Sequence, residues 1–256
     1  MSSCCPPNSE PAREASPYVG SSKVFGKTCL YVAGPATTRV GVLAFPDMFG
    51  CDSGRTKEDV DRLAQEGYVV VLVDLTNGVW PTSSEEVQAN LAEWMRKTDY
   101  DSVMKPSIDD AIAYLKQEAQ VEDIVCYGYC LGSWVGARLS TLSPSVIKGN
   151  VSFHPSWTWE NMVNGEGALE KLTDAITVPQ LLLSVSNDPD AVRTGGLVEK
   201  ILKEKSDIAS LSEVVDFEHV KHGWVNRGDL SDEKVKIAVD EAWGRARAFI
   251  KKITTQ

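Results

Sequence analysis

The chain has 256 residues, a formal net charge of -10, and 43% hydrophobic against 24% charged residues. That balance supports a substantial core and excludes wholesale disorder, and the negative field excludes nucleic acid and anionic membrane as partners, because no basic run exceeds a Lys-Lys pair. No apolar run nears the roughly 20 residues of a membrane span, and the opening MSSCCPPNSEPAREASP lacks a signal pattern, so a soluble cytoplasmic protein is expected.

Residues 1–22 are rich in Pro, Ser and Glu without periodicity and read as an extended arm; residues 23–256 read as one domain. Thr28–Val32 predicts an edge strand ending at Gly34-Pro35, and Arg39–Phe45 a buried strand running into the loop Pro46-Asp47-Met48-Phe49-Gly50. Lys57–Glu66 places Val60, Leu63 and Ala64 at helical spacing before Gly67. Tyr68–Val73 is a continuous β-branched run, as in a parallel strand covered on both faces. Helices follow at Ser84–Lys97 and Ser107–Gln117, the latter with Ile108, Ala111, Ile112 and Leu115 on one face. Asp123–Cys126 predicts a strand, Trp134–Leu139 a helix, Gly149–Phe153 and Gln180–Ser184 further strands, and Leu197–Leu202 a helix. The last strand spans Glu213–Phe217 and an amphipathic helix runs from Asp232 to Ile250. Strands alternating with helices predict an α/β fold, with a mostly parallel central sheet and helices on both faces. Ligands of such sheets bind outside the carboxyl ends of the strands.

One motif lies at that edge. Gly128-Tyr129-Cys130-Leu131-Gly132 follows a strand and opens a helix, which is the form of a nucleophile elbow with Cys in the reactive position. Glycines two residues either side are needed because a side chain there would strike the neighbouring strand or helix. The helix start offers N–H donors and partial positive charge to a thiolate and a developing oxyanion. A bland alternative is a buried cysteine in a Gly-rich turn. The other cysteines, Cys4, Cys5, Cys29, Cys51 and Cys126, read as reduced thiols, and Cys4-Cys5 has no partner at zinc-ligand spacing.

A thiol nucleophile needs a base, and the chain has only three histidines, His154, His219 and His222. The α/β-hydrolase order of nucleophile, acid and histidine selects Asp188, just past the strand Gln180–Ser184, and His222, just past the last strand. Asp190 and His219 are the competitors; Asp188 directly follows its strand, and His222 precedes Gly223 in a loop that can swing over the sheet edge. His154 lies upstream of the acid and reads as pocket-lining or structural. The backbone N–H groups of Leu131 and Met48 are candidate oxyanion donors. Asp47 has two open readings: an ordinary Pro-Asp turn, or a carboxylate that takes a hydrogen bond from the Cys130 thiol. Trp224, Trp134, Phe49 and Tyr129 are candidate pocket walls.

Taken together, the elbow, the Pro46–Gly50 loop, Asn187-Asp188-Pro189 and His222-Gly223-Trp224 resemble the dienelactone hydrolase (carboxymethylenebutenolidase) family over roughly residues 28 to 250. The start, with Cys4-Cys5-Pro6-Pro7 and Ser9-Glu10-Pro11, is similar to a eukaryotic branch of it, some members of which carry glucanase-type names. The resemblance implies a Cys130–His222–Asp188 triad, with Asp47 in place of a family glutamate that keeps the resting thiol protonated. It also implies substrate-gripping arginines. Arg227 lies one residue from such a position, and Glu85–Trp94 has no arginine for the other. The expected function is cysteine-dependent hydrolysis of small esters or lactones, with no metal or organic cofactor, in a monomer or homodimer. The alternatives are a non-catalytic ligand-binding or thiol-sensing protein, and a glucan hydrolase, which would need two carboxylates facing one glycosidic bond.

Overall fold

The computed structural model describes residue 6 and residues 8–255. Cys4 and Cys5 lie outside the described residues. The chain forms two compact units, one of Pro11–Ile124 and one that combines the described residues up to Glu10 with those from Val125 onward.

In the first unit, β1 (Ser21–Phe25) and β2 (Thr28–Ala33) form an antiparallel hairpin. β2 then pairs antiparallel with β4 (Val69–Val73), which pairs parallel with β3 (Val40–Phe45). The sequence pattern puts Thr28–Val32 at the sheet edge; the structure places β1 outside it. Four of the five residues of Ser-Ser-Lys-Val-Phe are exposed, so this strand carries no apolar alternation to read. Every residue of β4 is buried, as its unbroken Val-Val-Val-Leu-Val implies. Helices α1 (Thr56–Ala64), α2 (Ser84–Lys97) and α3 (Lys105–Gln117) complete the unit. Ser83 caps α2 by accepting from the Glu86 N–H at 3.2 Å, while the Glu86 carboxylate reaches back to the Thr82 N–H at 2.7 Å. One π-helical turn, Tyr100–Met104, feeds α3, which therefore begins before the expected Ser107. The arm is pinned along this unit: Ser16 N–H donates to the Gly54 carbonyl at 2.8 Å, and Asp61 accepts from the Val19 and Gly20 N–H groups.

In the second unit, β5 (Asp123–Tyr129), β6 (Asn150–Phe153), β7 (Gln180–Val185) and β8 (Glu213–Phe217) pair in that order, all parallel. Its helices are α4 (Leu131–Leu139), α5 (Trp159–Asn164), α6 (Ala168–Ala175), α7 (Leu197–Glu204), the single-turn α8 (Trp224–Arg227) and α9 (Glu233–Thr254). The sequence reading leaves α5, α6 and α8 unassigned; each is short, and α6 starts from a left-handed glycine instead of a polar cap. The side-chain hydroxyl or carboxylate caps that mark helix starts are present at α9, where Asp232 accepts from the Lys234 N–H at 2.9 Å. α9 buries Val235, Val239, Ala242, Trp243, Ala246 and Ile250 along one stripe. Trp243 packs on Phe153 (4.8 Å between ring centroids) and Tyr127 (5.4 Å). Burying an indole of that size contributes on the order of 5 kcal/mol. Among the described residues no helix is long and apolar enough to cross a membrane.

Candidate active site

The four parallel strands of the second unit all end toward the same set of side chains. Cys130 follows β5, His154 and Ser156 follow β6, Asp188 follows β7, and His222 follows β8. This is the edge where open α/β sheets hold ligands.

Cys130 sits at φ 51° and ψ -113°, a strained conformation for a residue with a Cβ, between the end of β5 and the start of α4. The strain is locked by neighbours. Cys130 N–H donates to the Phe153 carbonyl at 3.1 Å, and the Ser133 hydroxyl donates to the Cys130 carbonyl at 2.6 Å. The requirement for glycine at 128 is steric: a Cβ there would lie 2.2 Å from the Gly132 carbonyl carbon and oxygen. Gly128→Ala is therefore expected to destabilise the protein by about 3 kcal/mol or more, measured by urea unfolding. A variant as stable as the parent would contradict the close approach.

Asp188 and His222 form the second half. The Asp188 Oδ1 to His222 Nδ1 distance is 2.6 Å, with both side chains withdrawn from solvent. Asp188 Oδ2 accepts the Val185 N–H at 2.9 Å, so the carboxylate is held at both oxygens. The His222 backbone is fixed as well, its N–H donating to Asn187 Oδ1 at 2.9 Å and its carbonyl accepting the Glu10 N–H at 2.7 Å. Burial works to lower the His222 pKa, but the charges of Cys130 and Asp188 and their hydrogen bonds outweigh it, so the imidazole is held well above its usual value. Burial pushes the Asp188 carboxyl up, against the lowering pull of His222 and the Val185 N–H. His222 Nε2 is buried on the ring edge away from Asp188, as suits an atom that takes and returns a proton.

The competitors separate cleanly. Asp190 begins a 3-10 turn with a fully exposed side chain, and His219 is exposed, whereas Asp188 and His222 are buried. Burial alone pushes the Cys126 thiol up, and burial with nearby Asp74 does the same for Cys51. The structure adds Ser156 to the centre and sets His154, expected as pocket-lining or structural, beside His222. His154, at φ 39°, packs edge-on to His222 with ring centroids 4.8 Å apart, and the Ser156 hydroxyl lies 3.3 Å from Cys130 Sγ. No sequence signal marks Ser156, because it lies three residues past the strand end in no recognised motif.

Other expected site residues occupy varied positions. Tyr129 is buried and stacked on Phe153 (5.3 Å) and His154 (5.8 Å), and Trp224 is buried against Phe217 (4.7 Å). Trp134 is also buried, its indole N–H donating to Glu160 at 2.7 Å. Arg227 is fully buried; its Nε donates to the Glu10 carbonyl at 3.3 Å, bracing the chain start on the His222 loop. Gly223 makes room for it, since a Cβ there would lie 2.3 Å from Arg227 Nη2. In the other unit, Asp47 and Met48 are buried; Asp47 accepts the Phe49 N–H at 2.9 Å and the Ser53 hydroxyl at 3.0 Å. Phe49 lines a cavity of about 480 Å³ in that unit, together with Tyr31, Cys51, Lys57, Asp74 and Trp80.

The sequence pattern of the dienelactone hydrolase family matches residues 29–254. An uncharacterized AIM2 family protein of Schizosaccharomyces pombe is 27% identical over 99% of this chain and 100% of its own. A carboxymethylenebutenolidase homolog of Rattus norvegicus is 22% identical over 75% of this chain and 74% of its own. Among solved structures, the dienelactone hydrolase-like promiscuous phosphotriesterase P91 from metagenomic libraries has a TM-score of 0.61 at 16% identity, covering 96% of this chain and 99% of that one. The chain belongs to the dienelactone hydrolase family: it is an α/β-hydrolase-fold enzyme of the carboxylic ester hydrolase kind.

Proposed function

We propose that the protein hydrolyses small carboxylic esters or lactones through a thioester on Cys130. The observation that carries this reading is the buried 2.6 Å pair of Asp188 and His222 in the same unit as a cysteine in the strained elbow conformation.

The Cys130 thiol gives its proton to His222 Nε2, and the thiolate adds to the substrate carbonyl carbon. The carbonyl π pair moves onto oxygen, where the Leu131 N–H at the start of α4 donates to it. Collapse breaks the bond to the alcohol oxygen, which takes the proton from His222. Water then adds to the thioester, gives a proton to His222, and collapse returns the electron pair to sulfur. Asp188 fixes the tautomer with hydrogen on Nδ1 and balances the imidazolium. The loop after the strand Arg39–Phe45 names the Met48 N–H as the second expected oxyanion donor, and the family resemblance implies a thiol-modulating part for Asp47. The steps as written need no metal.

A panel of aryl esters, lactones and β-glucans tests the substrate class. Turnover of esters or lactones is expected, with none of glucan. Glucan cleavage without esterolysis would overturn the reading, and an absence of turnover on the whole panel would favour a binding or thiol-sensing role.

A further inference from the structure

The elbow is held from the side by the corner that follows β6. At His154 the chain takes the left-handed φ of 39°, and the turn brings Ser156 back onto the elbow. There the Ser156 N–H donates to the Cys130 carbonyl at 3.3 Å and to the Ser133 hydroxyl at 3.1 Å. With the Ser133 hydroxyl itself bonded to the Cys130 carbonyl, three contacts fix Ser156 relative to the nucleophile. Its side chain is buried, and its hydroxyl donates to Cys130 Sγ across 3.3 Å.

We propose that Ser156 is a catalytic residue whose hydroxyl stabilises the sulfur anion of Cys130 by hydrogen bonding. This rests on the reading of Cys130 as the nucleophile. A neutral thiol sulfur is a weak acceptor, whereas a buried thiolate is a strong one, so the bond strengthens as sulfur becomes charged. Its effect on the two half-reactions differs. During attack, charge leaves sulfur for the carbonyl oxygen; the bond weakens and takes back part of what it gains by raising the thiolate fraction. During deacylation the direction reverses. Water adds to the thioester and its proton goes to His222; collapse then breaks the C–S bond and returns the electron pair to Cys130 Sγ. The Ser156 O–H receives that charge as it forms, and the His222 proton afterwards returns to sulfur. A donor that strengthens toward the transition state accelerates that step. In this unit the titratable groups around the pair are His222, with Asp188 behind it, and His154, edge-on to the His222 ring.

Two readouts test this: thiolate ultraviolet absorbance against pH, with the Cys130→Ala signal subtracted, and single-turnover decay of the acyl-enzyme formed from an aryl ester. In Ser156→Ala the Cys130 titration should move up by about one pH unit, and acyl-enzyme decay should slow by about tenfold. Ser156→Thr, which keeps the hydroxyl, should restore both, and Ser156→Val, which has a methyl where threonine has its hydroxyl at nearly equal volume, should not. The Thr and Val pair carries the same comparison should the alanine variant fail to fold. Unchanged titration and decay without the hydroxyl, with Cys130→Ala strongly impaired, would overturn the proposal alone. Full turnover in Cys130→Ala would overturn the nucleophile reading and this proposal with it.

Discussion

Cys130→Ala is expected to lower ester or lactone kcat/KM by at least about 10⁴-fold, the range seen when a triad nucleophile is removed. The loss should not come from unfolding. The strained φ of 51° is borne by any residue with a Cβ, and the elbow's holding contacts to Phe153 and Ser133 involve the Cys130 backbone, which alanine keeps. Stability in urea should therefore change by no more than about 1–2 kcal/mol. Residual hydrolysis should persist, because the Asp188–His222 pair and the Leu131 N–H remain able to activate water and hold an oxyanion. Steady-state kinetics beside an unfolding curve for the same sample separate these contributions. Activity that survives intact would move the chemistry away from the elbow.

Asp188→Asn should reduce kcat by about 10⁴-fold through the wrong tautomer of His222. The two carboxylate oxygens have different partners: Oδ2 accepts the Val185 N–H at 2.9 Å, and Oδ1 meets His222 Nδ1 at 2.6 Å. An asparagine must keep its oxygen toward the Val185 donor, which turns its NH₂ group to Nδ1. Nδ1 then becomes an acceptor, the imidazole proton moves to Nε2, and the base that should receive the Cys130 proton is already occupied. Stability should change with pH in a defined direction. The folded pKa of His222 is raised above 6.5, so its stabilising contribution is complete below that pH and fades as pH rises through the elevated folded value. Removing the Asp188 charge takes part of that contribution away. The variant should therefore lose more stability, relative to its parent, at mildly acidic than at alkaline pH. Urea unfolding at the two pH values checks the sign, and an equal loss at both would contradict the ion pairing.

The placing of Cys130, Asp188 and His222 at the sheet edge was legible because each stands within a few residues of the end of a strand whose own composition is unmistakable. DIVC, QLLLS and EVVDF are apolar runs with clear ends, and the residues just beyond them have few competitors among three histidines. The strands of the second unit followed for the same reason. β1 was not legible because it is polar and exposed, and its place in the sheet comes from hairpin geometry with β2. Helices α5 and α6 are short, and the residues before them make no side-chain cap, so neither periodicity nor a start signal marks them. Ser156 is the most instructive omission. Its position depends on one left-handed residue, His154, which turns the chain back onto the elbow, and a non-glycine in that conformation has no signature in sequence. The bracing of the His222 loop by Glu10 joins residues more than 200 positions apart, and only the folded chain brings them together.

If Cys130 carries the acyl group, rapid quenching in acid during turnover of a slowly hydrolysed aryl ester, followed by peptide mass mapping, will find it there. One acyl group is expected on the peptide containing Cys130, absent in Cys130→Ala and longer-lived in Ser156→Ala. Catalytic turnover with no acyl mass on that peptide, or with the acyl group on another residue, would contradict it.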